Sequence, residues 1–454
     1  MSARRPRLAA LLLGLLCAAV LLELGLRAAC LPRFRTPDET RVFTLYAVGG
    51  STTQGQPFSR RLSFPAIVSA MFSDRARGLP IRVRNLGKGG ENIGAQWRRL
   101  RRELAFRRRG APGAVLIYAG LEPGGPWPQA GWAERLSLWF ERRVAVRSFF
   151  LTDLVQLVKQ SRPPRYSRAS YEFYLRQTVR LAQDRGLVPV LSTVAANLSD
   201  MEPSFLGDER TDPALPVVLE GRRLEAARRF PAAIALYESA ASAGEPARPY
   251  LIYRAAKCWQ ALGRYDQARE GFWRAAEGDA DLRFWRPSRA QNDLLRRIAS
   301  ESGAVLSDAA RLFEESAPHG LLGAEFFMDF HHPNLRGYHL LARGFAEALG
   351  TALGERPEGA GWDEEELRRR FSLDDDSLAW SSLTSGRLLL ECACTLYPWP
   401  DDRLALARRD FAAALRLSPG DSRAALGLSL TQSPALRPLL RDREAMVRLL
   451  PRLR

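Results

Sequence analysis

The chain alternates short apolar segments with helical stretches over much of its length, and this alternation constrains the fold more than any other feature. Segments with the composition of buried strands lie at 42–48, 81–85, 114–118, 188–193 and 304–306. Helical patterns lie between them at 65–72, 95–107 and 171–185. Strands that alternate with helices pair in parallel and carry helices on both faces. The sequence therefore predicts an α/β protein with a parallel sheet.

The first predicted strand runs into a glycine-rich turn that carries a serine. Gly49 and Gly50 precede Ser51 at this point, and ligand sites in parallel sheets form at the carboxyl ends of strands. Much later in the chain, Asp329 precedes His332 by three residues. A serine, a histidine and an aspartate are the components of an activated hydroxyl nucleophile. We therefore expect Ser51, His332 and Asp329 to meet in space.

Four short blocks, taken in order, resemble those of the SGNH (GDSL-type) hydrolases. They are Gly49-Gly50-Ser51, Asn85-Leu86-Gly87-Lys88-Gly89-Gly90, Gly120-Leu121-Glu122 and Asp329-Phe330-His331-His332-Pro333-Asn334. The chain is most similar to bacterial, membrane-anchored members that carry tetratricopeptide repeats. This resemblance implies a three-layer, flavodoxin-like parallel sheet and an activity on ester bonds.

The resemblance also assigns a role to each residue. Ser51 would be the nucleophile, His332 would take its proton and return it to the leaving group, and Asp329 would orient the imidazole. The backbone N–H groups of Ser51 and Gly90 would face the oxyanion. His331 is expected to be a neighbour of the base rather than the base, because the three-residue spacing selects His332. The resemblance implies no cofactor and no metal.

The third block departs from the family pattern. An Asn side chain normally supplies a third oxyanion donor, but Glu122 stands at that position. An ionised carboxylate cannot donate a hydrogen bond, and the loss of one such donor costs about 3–4 kcal/mol of transition-state stabilisation. A buried, protonated Glu122 would still donate, since burial raises the pKa of a carboxyl group. Asn92 and Asn197 are two further candidate donors.

The N-terminus has the pattern of a targeting segment. Arg4, Arg5 and Arg7 precede an uninterrupted apolar run over 8–22, which Glu23 ends. Basic residues before an apolar run direct the remainder of the chain out of the cytoplasm. We expect a single-pass anchor in the inner membrane with the body facing the periplasm or the cell exterior. A cleaved signal and a secreted protein are the alternative.

The formal net charge of +17 is not taken as a sign of nucleic-acid binding. All but three of the 67 basic residues are arginine, they are scattered over predicted helices, and no nucleic-acid-binding motif accompanies them. The five cysteines have neither the spacing of a zinc site nor that of a disulfide framework. The expected partners are an ester substrate, a membrane and a protein bound by the helical repeats described next.

Two stretches interrupt the strand–helix alternation. Within 123–168, tryptophans and phenylalanines lie among basic residues, which favours a packed helical lid and, as an alternative, a surface that touches lipid or an acyl substrate. Within 219–276, aromatic and alanine positions repeat 35 residues apart, which is close to the tetratricopeptide period, and 407–421 partly repeats this spacing. The predicted organisation is a signal anchor (1–35), a hydrolase-like domain in two parts (36–218 and 281–352), inserted helical repeats (219–280) and a C-terminal helical region (353–454).

Two functional hypotheses follow. The first is an extracytoplasmic serine ester hydrolase, or a related acyltransferase, that acts on an acylated glycan, a lipid or another small ester. The second is a catalytically impaired scaffold of the same fold that binds a protein partner through its helical repeats. The exchange at Glu122 and the added repeats favour the second hypothesis, whereas the Ser51, His332 and Asp329 set favours the first.

Overall fold

The structure is a computed structural model that describes residues 4–29, 39–119, 131–160, 168–203, 214–244, 248–278, 286–394 and 400–433, with parts of 436–453. Its strands are β1 (Phe43–Gly49), β2 (Arg75–Ala76), β3 (Leu79–Asn85), β4 (Gly113–Tyr118), β5 (Val188–Ser192) and β6 (Val305–Ser307). Its helices are α1 (Arg4–Ala29), α2 (Ser51–Gln54), α3 (Phe64–Met71), α4 (Ile93–Glu103), α5 (Trp132–Arg143), α6 (Phe149–Gln160), α7 (Arg168–Asp184), α8 (Leu215–Ala226), α9 (Phe230–Ser242), α10 (Arg248–Ala261), α11 (Tyr265–Gly278), α12 (Arg289–Ser302), α13 (Ala309–Ser316), α14 (Leu335–Leu353), α15 (Glu364–Arg370), α16 (Asp375–Cys394), α17 (Asp401–Leu417) and α18 (Ser422–Gln432).

The strands form one sheet in the order β2-β3-β1-β4-β5-β6. β3, β1, β4, β5 and β6 pair in parallel, and β2 runs antiparallel to β3 at the edge. Without β2, this is the strand order of flavodoxin-like sheets. The parallel sheet predicted from the alternation is therefore confirmed, with strand ends within two residues of the expected ones.

Helices cover the sheet in two separate groups. α3, α13 and α14 pack together on one side, while α4, α7 and α12 pack together on the other, and both groups contact the strands. β1 and β4 are buried along their whole length, as expected for strands that are covered on both faces. The sheet and its two helical layers share one continuous hydrophobic core.

The position of β1 determines where a ligand site can form. β1 pairs with β3 on one side, where Ala47 lies opposite Asn85, and with β4 on the other, where Gly49 lies opposite Tyr118. The chain winds in opposite directions on the two sides of β1, so a crevice forms at the carboxyl ends of these strands. Ser51 follows β1 at this edge.

Two local features differ from the sequence predictions. β2 was not expected, because it is only two residues long, and it follows Ser73 and Asp74, which both have positive φ angles. The helix expected at 95–107 runs instead from Ile93 to Glu103. It begins earlier because the Asn92 side chain accepts a hydrogen bond from the N–H of Ala95 and so caps the helix.

The inserted segment forms consecutive helical hairpins, in which α8, α9, α10 and α11 each contact the next. Small residues allow close approach, since a Cβ at Gly271 of α11 would lie 2.8 Å from the Cβ of Ala256 in α10. Tyr253 and Phe272 belong to the core of the sheet domain. The inserted helices are therefore braced against the sheet, and their assignment as tetratricopeptide repeats stays a prediction.

The C-terminal helices α16, α17 and α18 pack on one another around a second core. That core includes Phe330, which lies between Asp329 and His331 in the sequence. Arg409 of α17 also donates a hydrogen bond to the carbonyl oxygen of Met328 at 3.2 Å. The C-terminal region therefore supports the segment that carries the Asp-x-x-His motif.

The N-terminal helix α1 contacts α6, and the Glu23 carboxylate accepts hydrogen bonds from the Ser148 hydroxyl (2.8 Å) and the Phe150 N–H (2.9 Å). Within the described residues, no helix combines the length and the apolar character needed to cross a membrane.

In α5, Leu138 and Glu141 are buried, whereas Trp132 and Trp139 are 76% and 57% exposed. The aromatic stretch therefore contains both an inward packed side and an exposed apolar side.

Candidate active site

Ser51 is the first residue of α2, immediately after the sharp turn that ends β1. Gly49 is required in this turn, because a Cβ there would lie 2.0 Å from the Thr53 Oγ1 and 2.3 Å from the Tyr118 carbonyl oxygen. The Asn85 side chain holds the turn from β3 by donating to the Thr53 carbonyl oxygen at 2.7 Å. From α14, the Tyr338 hydroxyl donates to the carbonyl oxygens of Thr52 and Gln56.

Asp329 and His332 lie in a tight loop before α14. The Met328 N–H donates to the His332 carbonyl oxygen at 2.9 Å and closes the loop. The Asn334 side chain caps α14 by accepting from the Gly337 N–H at 2.9 Å. Gly337 is needed for this packing, since a Cβ there would lie 2.2 Å from the Phe326 carbonyl oxygen. The loop is thereby held in one conformation next to the serine turn.

The structure brings Ser51, His332 and Asp329 into one hydrogen-bonded chain. The His332 Nδ1 lies 2.6 Å from the Asp329 Oδ2, and the His332 Nε2 lies 2.7 Å from the Ser51 Oγ. An ionised carboxylate only accepts hydrogen bonds, so Nδ1 carries the proton of the neutral ring and Nε2 is free to accept from the hydroxyl. This is the geometry required of a nucleophile, a base and an orienting group.

Asp329 is held in its ionised form despite complete burial. Burial acts to raise the pKa of Asp329, but the charge of His332 and the hydrogen bond from its ring lower the pKa to about 2. The backbone N–H groups of His331 (2.9 Å) and His332 (2.8 Å) also donate to its Oδ1. The carboxylate is thus charged at neutral pH and able to stabilise a protonated His332.

The loop between β3 and α4 passes close to Ser51, since a Cβ at Gly89 would lie 3.4 Å from the Ser51 Cβ. Its N–H groups at Gly87, Lys88 and Gly89 donate to the Asn85 side chain, the Gly49 carbonyl oxygen and the Gln54 side chain. Among the residues that the structure describes, no acceptor is bonded to the N–H of Ser51 or of Gly90. These are the two backbone donors that the resemblance assigns to the oxyanion.

The expected third donor falls at Glu122, which lies outside the described residues. The two alternative asparagines have other tasks. Asn92 caps α4, and the buried Asn197 side chain donates to the Asp329 carbonyl oxygen at 3.2 Å. The Asn197 N–H also donates to the Phe330 carbonyl oxygen at 3.0 Å. Asn197 therefore supports the loop that carries Asp329.

His331 is nearer to the nucleophile than sequence reasoning expected. Its Nε2 lies 3.5 Å from the Ser51 Oγ, and its ring centroid is 4.2 Å from that of His332. Burial, followed by the nearby charge of His332, lowers the pKa of His331 well below its usual range. The sequence signal was present, since His331 precedes His332 directly, but the Asp-x-x-His spacing drew attention to the second histidine.

Metal or thiol chemistry has no support in the described residues. No group of three or more histidines, cysteines or acidic residues in the described part of the chain is placed to hold a metal ion. Cys258, which the sequence suggested was a core residue, is buried, and this burial raises the pKa of its thiol to about 12.

Comparisons with known proteins returned similarity at the level of solved structures. No protein-family model matches the chain, and no curated protein matches it. A member of the lipolytic protein G-D-S-L family from Veillonella parvula is 12% identical, with 67% of this chain and 97% of that chain covered and a TM-score of 0.33. TesA is 14% identical, with 68% and 99% covered and a TM-score of 0.31. A catalytic mutant of the acetylxylan esterase Axe2 from Geobacillus stearothermophilus is 16% identical, with 68% and 94% covered and a TM-score of 0.31.

Proposed function

We propose that the protein is a serine ester hydrolase in which Ser51 is the nucleophile. The observation that carries this proposal is the continuous hydrogen-bonded chain from the Ser51 Oγ through the His332 ring to the buried Asp329 carboxylate. The location of this hydrogen-bonded group supports the proposal. It lies at the carboxyl ends of β1, β3 and β4, where the winding of the sheet reverses.

In the acylation step, the Ser51 Oγ forms a bond with the acyl carbon while its proton passes to the His332 Nε2. Asp329 stabilises the resulting imidazolium. The tetrahedral intermediate then releases the alcohol, which receives that proton from Nε2. In the second step, water gives a proton to Nε2 and attacks the acyl carbon. The bond from that carbon to the Ser51 Oγ then breaks, the Oγ receives the proton from Nε2, and the acid is released. The unbonded N–H groups of Ser51 and Gly90 would stabilise the oxyanion in both steps.

The substrate class that we propose is an acylated glycan, a lipid or another small ester. If a sugar hydroxyl replaced water in the second step, the same acyl-serine would make the protein an acyltransferase.

We also propose that the body acts outside the cytoplasm next to the inner membrane, with the segment 1–35 as a single-pass anchor. The basic residues Arg4, Arg5 and Arg7 before the apolar run support this orientation. The exposed Trp132 and Trp139 suit the interface between lipid and water.

A second candidate function, partner binding, is favoured by a groove in the inserted helices. α9, α10 and α11 enclose a cavity of about 630 Å³ lined by Ile252, Trp259 and charged residues of both signs, among them Glu238, Arg248 and Arg274. Concave surfaces of stacked helical pairs commonly bind extended peptides. Under this alternative, a partner would co-purify equally with the wild type and with Ser51→Ala, and would be lost with Arg274→Glu.

Hydrolysis of p-nitrophenyl acetate tests the enzymatic proposal. We expect turnover by the wild type, and a loss of about 10⁴-fold or more in kcat with Ser51→Ala, because the nucleophile is removed. Ser59→Ala is a matched control, since Ser59 is exposed and only caps a short turn by accepting from the Arg61 N–H. Equal rates for the wild type and Ser51→Ala would refute the hydrolase and leave the partner-binding function.

A further inference from the structure

The Ser51 hydroxyl faces two adjacent histidine rings, yet it has one proton to give. That proton belongs to the bond with His332, because the His332 Nδ1–H is donated to Asp329 and its Nε2 is left to accept at 2.7 Å. Towards His331, whose Nε2 is 3.5 Å away, the Ser51 Oγ can therefore only accept. If the two groups interact, His331 must be the donor.

The surroundings of the His331 ring place its proton on Nε2, the nitrogen that faces Ser51. The side chain is 5% exposed, and burial together with the neighbouring His332 charge lowers the pKa of His331, so the ring is neutral and carries a single proton. Its Nδ1 is buried and has no hydrogen-bond partner among the described residues. The Nε2, in contrast, faces the oxygen of Ser51. The neutral form with the proton on Nε2 satisfies both observations.

The Asp329 carboxylate holds both histidines in position through hydrogen bonds. Its Oδ1 accepts from the backbone N–H groups of His331 and His332, and its Oδ2 accepts from the His332 ring. The Phe330 ring packs edge-on against His331, with ring centroids 4.4 Å apart. The His331 donor is therefore positioned by the same loop as the base, and needs no rearrangement during a reaction.

We infer that His331 is a further catalytic residue, a neutral hydrogen-bond donor to the oxyanion formed when Ser51 attacks the acyl carbon. This inference rests on the proposed hydrolase function and deepens it. The oxyanion is bonded to the same carbon as the Ser51 Oγ, so it forms beside the atom towards which the His331 Nε2 points. At 3.5 Å the contact with the resting hydroxyl is weak, and a donor that gains more from the transition state than from the ground state accelerates the reaction.

This role also accounts for the departure at the third block. The resemblance expects an amide donor where the chain has Glu122, and His331 supplies a neutral donor close to the nucleophile. A neutral ring is suited to this position, because a second cation next to the imidazolium of His332 would oppose the proton transfer from Ser51.

The test compares His331→Leu, which removes the donor, with His331→Gln, which keeps one. For p-nitrophenyl acetate we expect kcat to fall about 10²-fold in His331→Leu with KM changed by less than about threefold, because the interaction is made in the transition state. His331→Gln is expected to recover about tenfold of that loss, since a side-chain amide is an effective oxyanion donor.

His339→Gln is the control, because the His339 Nε2 donates to the Gly359 carbonyl oxygen away from Ser51. If the leucine variant does not fold, as judged by circular dichroism, His331→Phe removes the donor and keeps a ring. A kcat within about threefold of the wild type in the donor-free variant would overturn the inference, as would an equal loss in the glutamine variant. Absence of Ser51-dependent turnover in the wild type would instead overturn the proposed hydrolase, and the inference with it.

Discussion

Two regions of the molecule bury carboxylates, and the pKa values of these carboxylates are shifted in opposite directions. In the candidate active site, the pKa of Asp329 is lowered to about 2. At the junction between the inserted helices and α17, burial raises the pKa of Glu202 to about 7. Asp410 of α17 behaves like Glu202, since its burial raises its pKa to about 6. All three side chains are almost completely buried, so burial does not explain the difference.

For Glu202, the difference from Asp329 lies in the hydrogen-bond donors that each carboxylate receives. Asp329 accepts from two backbone N–H groups and from the ring of His332. Neither carboxylate oxygen of Glu202 has a partner among the described residues, and the neighbouring Arg403 donates to the Glu202 backbone carbonyl oxygen. Hydrogen-bond donors aimed at a buried carboxylate favour its charged form. The candidate active site therefore stabilises a buried negative charge on Asp329, whereas the junction provides no such donors to the Glu202 carboxylate.

The first prediction makes the same chemical change in both regions. Asp329→Asn is expected to lower kcat for p-nitrophenyl acetate by about 10⁴-fold, because the amide donates to the His332 Nδ1 and moves the ring proton onto Nε2. Glu202→Gln is expected to leave kcat within about twofold of the wild type, since no hydrogen bond among the described residues joins the Glu202 side chain to Ser51, His332 or Asp329. Similar losses in the two variants would remove the contrast between the regions.

The second prediction concerns the junction alone. Arg403→Met is expected to destabilise the protein by about 3 kcal/mol, because it removes the buried positive charge beside Glu202 together with a buried hydrogen bond. Urea unfolding measures this change. Arg311→Met is the matched control, because Arg311 is exposed and pairs only loosely with Glu315 at 3.8 Å. If the stability of the junction depended on packing alone and not on charge, the two variants would have the same urea unfolding midpoint.

The third prediction uses the opposite pKa shifts. Glu202 has a raised pKa in the folded state, so its contribution to stability is complete below about 4.5 and is lost as the pH rises to about 7. Asp329 has a lowered pKa, so its contribution is present above about 4 and is lost as the pH falls towards 2. The stability of Glu202→Gln relative to the wild type should therefore increase between pH 4.5 and 7. A flat difference over this range would show that Glu202 titrates normally.

The fourth prediction has the smallest effect and tests the link between the regions. Arg409 joins α17 to the active-site loop through its bond to the Met328 carbonyl oxygen, and it pairs with Asp410. Arg409→Met is expected to lower kcat by about threefold and stability by about 1 kcal/mol. Arg408→Met, whose bond to the Thr431 carbonyl oxygen stays within the C-terminal helices, should affect stability without affecting kcat. Equal kcat values for the two variants would show that α17 does not support the loop.

The features that could be predicted from sequence are those set by local pattern. The five parallel strands were found because buried strands are apolar over their whole length, as in β1 and β4. The meeting of Ser51, His332 and Asp329 was expected from the resemblance and from their strand-end context, and the structure places them in contact. The catalytic roles of these residues stay predictions that the experiments above test.

The features that were missed depend on contacts between distant parts of the chain. The position of His331 beside Ser51 follows from how the loop before α14 meets the turn after β1, 280 residues away in the sequence. Asn197 was a candidate oxyanion donor from the sequence, and only the fold shows that its side chain is bonded to the Asp329 loop. Likewise, nothing near Glu202 in the sequence indicates that Arg403 and α17 bury it.

The central claim is that the fold activates the hydroxyl of Ser51. Fluorophosphonate labelling, with the modified residue located by mass spectrometry, tests it most directly. The folded wild type is expected to carry the label on Ser51, whereas His332→Ala and the urea-unfolded wild type are expected to stay unlabelled, because an isolated serine is a weak nucleophile. A folded wild type without label, or labelling that persists in Ser51→Ala, would contradict the account.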